Sequence, residues 1–456
     1  MTLTRIALCV AGLLACAHGV QAAVSAEEAR QLGTTLTPFG AEVAGNKDGT
    51  IPAYSGGFTK PPAGWDKAKP GVRPDPFASD KVLVSISSKN MDQYADKLTD
   101  GTKALLKKYP TFRIDVYPTR RSAAFPKYVL DNTVKNATRC KAVEGGVALE
   151  GCFGGLPFPI PKTGHEAMWN AVMRFVGHSF FADGAVWYVD GAGRATLASA
   201  NETYEEFPNY DPEATSASVS WMVRGLYNAP SRVAGEQILI VDPFNWVADK
   251  RKAYQYIPGQ RRVKLAPDLA YDTPQPNAAG IVTMDQPPVF NGALDRFDFK
   301  LVGKKEIYLP YNTYKVAAGG DAVNCNPEKF LTPNHWNADC VRWELHRTWV
   351  VEATLKPGKR HVYTKRVFHL DEDGFNGSLT DMYDASGQLW RVGYSLNAPR
   401  YDEPAPYADV YGNFDLLAGS WIIVNWDKPG SKGAYAIPRP SANFYTPDAM
   451  ASAGIR

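Results

Sequence analysis

The chain has 456 residues, 45% hydrophobic, 12% aromatic and 21% charged. That is a globular composition, which excludes a disordered chain. The formal charge of +3 falls to +2 if Arg5 is removed with a leader, too near neutral to suggest a nucleic-acid or anionic-membrane partner.

Residues 1–22 have the layout of a secretory signal peptide: Arg5, an apolar run over 6–17, and the small-x-small exit Val20-Gln21-Ala22. Cleavage is expected before Ala23, giving a periplasmic protein. Leu13-Leu14-Ala15-Cys16 has the form of a lipobox, so a lipoprotein anchored at Cys16 stays open as the alternative. The apolar run is too short to span a bilayer as a helix.

Removing the leader takes away Cys9 and Cys16 and leaves Cys140, Cys152, Cys325 and Cys340. Local pairing, Cys140 with Cys152 and Cys325 with Cys340, is the most economical of the three connectivities, and an exported chain meets an oxidising compartment. The rival is a zinc site, since His335 lies between Cys325 and Cys340. Neither pair has Cys-x-x-Cys or His-x-x-x-His spacing.

Ser25-Ala26-Glu27-Glu28 is a capping box for a short helix ending near Gly33. Residues 45–80 are dense in Gly and Pro and should wrap in extended form. Asn90 is placed to cap a helix to about Lys108, and a second helix is expected over 126–136. In 165–176, Met168, Val172, Phe175 and Val176 share one helical face.

After Gly177 strand signals dominate. Strands are expected at 185–190, 194–200, 216–227, 237–242, 253–257 and 261–265. More follow at 296–301, 305–309, 341–354, 362–370, 378–383, 388–394 and 421–426. Turns such as Asp183-Gly184, Pro258-Gly259, Pro357-Gly358, Asp373-Gly374 and Ser386-Gly387 join neighbouring antiparallel strands into a meander. In 341–351 Val341, Trp343, Leu345, Trp349 and Val351 alternate with Arg342, Glu344, His346 and Thr348, with Arg347 the exception. This predicts one apolar face and one wet face. The tail from Asp427 is expected to run over the surface.

Catalytic motifs are missing. His165-Glu166 lacks the second His of a zincin, with Trp169 in its place. His369-Leu370-Asp371-Glu372-Asp373-Gly374 lacks the ligand spacing and terminal Glu of a calcium loop and is read as a polar turn. Gly191-Ala192-Gly193 is a strand turn with no helix after it. No catalytic residue, metal ligand or cofactor is assigned, and a non-enzyme is expected.

Several long phrases resemble an uncharacterised proteobacterial periplasmic family that carries a domain-of-unknown-function label. They are Leu32-Gly33-Thr34-Thr35-Leu36-Thr37-Pro38-Phe39-Gly40 and Asp48-Gly49-Thr50-Ile51-Pro52-Ala53-Tyr54. Gly155-Leu156-Pro157-Phe158-Pro159-Ile160-Pro161 with Glu166, Trp169 and Asn170, and Tyr256-Ile257-Pro258-Gly259-Gln260-Arg261-Arg262, continue them. So does Lys365-Arg366-Val367-Phe368-His369-Leu370-Asp371.

That family is similar to the outer-membrane lipoprotein-sorting (LolA/LolB-like) proteins, which hold acyl chains in a half-open β-barrel. The resemblance implies a β-dominated α+β fold: a large curved antiparallel sheet over 177–456 with helices in its concave side. Residues 23–176 form an N-terminal segment packed on that sheet. It also implies a carrier for a lipid-like or other hydrophobic cargo, working beside an outer-membrane channel-like protein and an inner-membrane resistance-nodulation-division transporter. Candidate cavity-lining residues are Trp187, Trp246, Trp343, Trp349 and Trp390, with Met168 and Phe175 on the covering helix. The competing readings are an assembly factor that binds a partner through a sheet edge and, third, an envelope hydrolase.

Overall fold

The computed structural model describes residues 24–275, 277–317, 325–406, 410–426 and 430–454. The expected leader, with Arg5, Cys9, Cys16, His18 and the cleavage point at Ala22, lies outside the described residues.

The N-terminal segment carries α1 (Ala26–Ala29), β1 (Val84–Ile86), α2 (Asp100–Lys108), β2 (Ile114–Val116) and α3 (Lys127–Arg139). The small hairpin β3 (Lys141–Val143) and β4 (Ala148–Glu150) and helix α4 (Gly164–Val172) complete it. The capping box is present: Glu28 N donates to Ser25 Oγ at 3.2 Å and Ser25 N to Glu28 Oε2 at 3.0 Å. The single helix expected from Asn90 is split. Residues Met91–Lys97 are 3₁₀, and Thr99 caps α2 by accepting from Thr102 N. Asn90 instead closes its own turn, accepting from Ser87 N at 2.8 Å and donating to Ser85 O at 3.1 Å. A side chain spent on that local turn has no acceptor left for a helix end.

The sheet follows. Its first run is β5 (Ser179–Val189), β6 (Ala195–Glu206), β7 (Val219–Ala229), β8 (Gln237–Pro243), β9 (Lys252–Ile257) and β10 (Arg262–Leu265). A second run begins with β11 (Phe297–Pro310), β12 (Arg342–Leu355), β13 (Lys365–Asp371) and β14 (Gly377–Tyr383). It ends with β15 (Leu389–Ser395), β16 (Tyr411–Asp415) and β17 (Ser420–Trp426). Each run is an antiparallel meander, and β17 pairs with β5, so the two fuse into one sheet. The strands expected at 296–301 and 305–309 are one strand, bulged between Leu301 and Gly303.

The sheet is open, its strand path running from β1 through β2 and β12 to β10 with β11 paired to β12 beside that path, and it is strongly curved. Arg251, before β9, donates to Met284 O at 3.3 Å, while Arg366 on β13 donates to Asp285 at 3.0 Å. Nine interstrand steps separate β13 from β9, about 43 Å in a flat sheet at ~4.8 Å per step. Two adjacent residues are reached from both strands only if the sheet curls around them. The connection 266–296 therefore lies in the concave face, beside α4.

Four differences from the expectation have clear causes. First, β2 pairs in parallel with the start of β12, so the N-terminal segment extends the sheet as well as packing on it. Second, the tail is not only a surface strap: β18 (Gly433–Ala436) pairs with β5, and Tyr445 and Met450 of the last segment pack on Leu239 and Tyr256. Third, β16 was missed in sequence. Fourth, the polar face of β12 is not wet: Glu344 is 0% and His346 2% exposed. The wrap 118–125 covers it, with Arg120 N donating to Glu344 at 2.7 Å.

Both expected disulfides are present, Cys140–Cys152 and Cys325–Cys340, with Cα separations of 4.5 and 5.8 Å. His335 ligates nothing with them; its Nε2 faces Thr111 Oγ1 at 2.8 Å. Among the described residues no helix is long and apolar enough to cross a membrane.

Candidate functional site

Alternation in β5–β8 puts Val186, Val223, Ile238 and Ile240 on the concave face, and β17 adds Val424. Segment 266–296 lies over them but does not fill the space completely. A cavity of about 140 Å³ remains, floored by these residues and Met284 and edged by Ser199, Asn201, Thr203, Tyr227, Gln275 and Asn277. A second cavity of about 60 Å³, under Val172, Met173 and Val176 at the end of α4, shares Glu205, Trp221, Pro287, Asn291, Tyr411 and Asn425 with it. At the junction Trp221 Nε1 donates to Glu205 Oε2 at 2.7 Å. The site combines an apolar floor with a rim of amides and hydroxyls and one carboxylate, Glu205, at the junction. Its buried cation, Arg251, is neutralised by a bidentate pair with Asp242, both bonds 2.7 Å.

The covering segment is held by polar clamps. Asp285 accepts from Arg366, His361 and Thr283 at 3.0, 3.0 and 2.6 Å. Burial pushes its carboxyl up, but Arg366 and His361 outweigh that and hold it at about 2. Arg391 donates to Ile281 O at 2.7 Å, and Gln286 Nε2 to Asn413 at 3.0 Å. Buried arginines satisfied by carbonyls and carboxylates add to the apolar packing of Ile281, Val282, Phe290 and Leu294 in fixing the segment.

The seven residues read as lining from sequence lie elsewhere, and none of them lines either cavity. Trp343 is fully buried against Tyr394, ring centroids 5.5 Å apart. Trp187 borders that same cluster. Met168 and Phe175 are buried core beneath α4, with Trp246 and Trp349 partly buried at its margin. Trp390 donates to Asp415 at 3.0 Å and lies under Arg391. The lining residues were missed because alternation in strands such as β6 and β7 shows which residues share a face, not what stands opposite. The nearest signal was Met173 and Val176, beside the chosen Met168 and Phe175; α4 ends at Val172, so Phe175 lies past the helix on which it was expected.

Outside the cavities, the fold brings His346, Asp371 and Asp373 together as one group whose side chains could hold a metal ion. Their sequence spacing gave no sign of it.

The family model for proteins of unknown function designated DUF1329 matches residues 85–451. The chain belongs to the DUF1329 family. The phrases at 155–170, 256–262 and 365–371 fall inside the matched DUF1329 region, and the resemblance drawn from them holds. An uncharacterized protein of Pseudomonas aeruginosa is 42% identical over 442 residues, covering 96% of this chain and 95% of that protein. A DUF1329 family protein from Desulfovibrio piger is similar in structure, with TM-score 0.42, 12% identity and coverage of 62% of this chain and 95% of that one. A LolA superfamily protein from Nitrosomonas europaea is also similar, with TM-score 0.38, 12% identity, and coverage of 63% and 99%. The paired disulfides of this DUF1329 chain agree with an extracytoplasmic location.

Proposed function

We propose that this DUF1329 protein is a non-catalytic periplasmic carrier or accessory for a lipid-like or other hydrophobic cargo, passing it to envelope transport machinery. The observation that supports this most is the cavity between the curved sheet and segment 266–296, with its apolar floor and polar rim. Apolar walls with a few oriented polar groups suit an amphiphile, and burial of apolar surface supplies about 25 cal/mol per Å² before binding costs.

Size adds a condition. A cavity of about 140 Å³ accepts a single ring, whereas sites for larger ligands span about 300–1,000 Å³. A lipid-like cargo must therefore displace part of segment 266–296, which polar clamps hold in place. The partners fitting this role are an outer-membrane channel-like protein and an inner-membrane resistance-nodulation-division transporter.

The test is organic extraction and mass spectrometry of protein purified from periplasm without detergent. A stoichiometric hydrophobic molecule is expected. Protein that is empty and also fails to take up hydrophobic fluorophores overturns the carrier reading.

A further inference from the structure

The polar face of β12 that was expected to be wet carries a second candidate site, independent of the cargo cavity. The geometry points to a buried divalent-metal site formed by His346 Nδ1, Asp371 Oδ1 and a carboxylate oxygen of Asp373.

Strand register sets it up. Thr348 on β12 lies opposite Asp371 on β13, so His346, two residues before Thr348, projects to the same side. Asp373 follows on the turn. The three side chains lie within 4.8 Å of one another and are 2%, 0% and 2% exposed.

The hydrogen-bond donors and acceptors then leave a gap. Glu344 Oε2 stands 3.1 Å from His346 Nε2. That carboxylate already receives Arg342 Nε at 2.5 Å, Asn312 Nδ2 at 2.9 Å and Arg120 N at 2.7 Å. Glu344 accepts from all these donors, so Nε2 bears a hydrogen, and in the neutral imidazole Nδ1 turns its lone pair toward Asp371. Asp371 Oδ1 lies 3.7 Å from Nδ1 and has no hydrogen-bond partner. Two acceptors face each other at a distance beyond the usual 2.7–3.2 Å range of a hydrogen bond. The same distance suits two ligands of one ion, since bonds of about 2.1 Å at tetrahedral angles put donor atoms about 3.4 Å apart.

The surroundings match what a metal site requires of its outer shell. Glu344 orients the ligating imidazole, Tyr311 Oη donates to the other oxygen of Asp371 at 3.1 Å, and Arg121 grips Asp373 through bonds of 2.6 and 2.9 Å. Histidine ligands ordinarily give their second N–H to a carboxylate, and ligating carboxylates are themselves hydrogen-bonded. One imidazole and two carboxylates select a first-row divalent ion such as Zn(II), Mn(II) or Co(II), not a soft monovalent ion. With all three ligands buried, the ion is structural: it enters during folding and ties the Arg121 wrap to β12 and β13.

The test is elemental analysis of the full mature chain purified without chelator, followed by unfolding and refolding with Zn(II), Mn(II), Co(II) or EDTA. About one equivalent of a transition ion per chain is expected, retained through dialysis of the folded protein. Refolding with the preferred ion should raise Tm by at least about 3 °C over refolding with EDTA. Asp371→Asn, which keeps the side-chain volume, should abolish both the stoichiometric metal and the Tm difference. Wild-type protein that holds no transition metal, and whose Tm is the same after refolding with each ion and with EDTA, overturns the proposal. The gap is then closed by a proton shared between His346 and Asp371. Metal retained unchanged by Asp371→Asn also overturns it.

Discussion

Arg366 on β13 and Asp285 in segment 266–296 meet at 3.0 Å, with side chains 0% and 5% exposed. Their pair joins the sheet to the segment that covers its concave face. A buried pair contributes little net stability against an apolar substitute, but breaking one partner leaves an uncompensated charge.

Arg366→Met should therefore destabilise the protein by about 3–5 kcal/mol, read by urea denaturation. The loss should be smaller in Arg366→Met/Asp285→Asn, where no charge is stranded. Hydrogen exchange should quicken in segment 266–296 before it does in β12 to β15. Equal acceleration throughout would mean that the segment is not a separable unit.

The cavity predicts where cargo binding is sensitive. Val223→Phe, on the cavity floor, should weaken uptake of a hydrophobic fluorophore at least about tenfold, or ~1.4 kcal/mol. Trp343→Phe, in the core away from the cavity, should lower stability and leave uptake unchanged. Uptake lost in Trp343→Phe and kept in Val223→Phe would move the binding site.

Burial holds the Asp381 carboxyl up at about 7, although Gly101 N donates to it at 3.1 Å. Its folded value lies above the ~3.9 of an unfolded chain, so the folded state binds the proton more tightly. The stability it contributes is fully present below about pH 4 and is lost as pH rises through 7. Asp381→Asn should match wild type near pH 4 and exceed it in Tm at pH 8. A constant difference across that range would show that Asp381 does not titrate on folding.

Gly101, in the first turn of α2, sits so close to β14 and β15 that an added Cβ would lie 2.3 Å from Asp381 Oδ1 and 2.6 Å from Val392. Gly101→Ala should cost about 1–3 kcal/mol by overpacking, despite the better helix propensity of Ala. A stabilised variant would show that the helix end is free to shift.

Replacing Cys325 and Cys340 together with Ala should cost about 3 kcal/mol, the value for a loop near 15 residues. That bridge closes a sequence separation of 15 and holds Phe330 and Trp336 in the core under β16 and β17. The denaturation midpoint with and without reductant measures it.

The sequence by itself determined what depends on neighbours in the chain. The capping box at Ser25, four of the five expected turns (Asp183-Gly184 lies inside β5 instead), the local disulfides and the long alternating strands all rest on short-range chemistry, and the family phrases are local text. The half-open, β-dominated architecture followed from these. What only the tertiary structure decided depends on residues far apart in sequence. Alternation along β12 separated Glu344 and His346 from Trp343 and Leu345, but a polar face buried under residues 118–125 has the same pattern as one facing water. The aromatic residues Trp343 and Trp349 were candidates for the core as well as for the cavity. Trp221 and Glu205 line a cavity because the sheet curls around segment 266–296, and curvature belongs to the whole sheet, not to any strand.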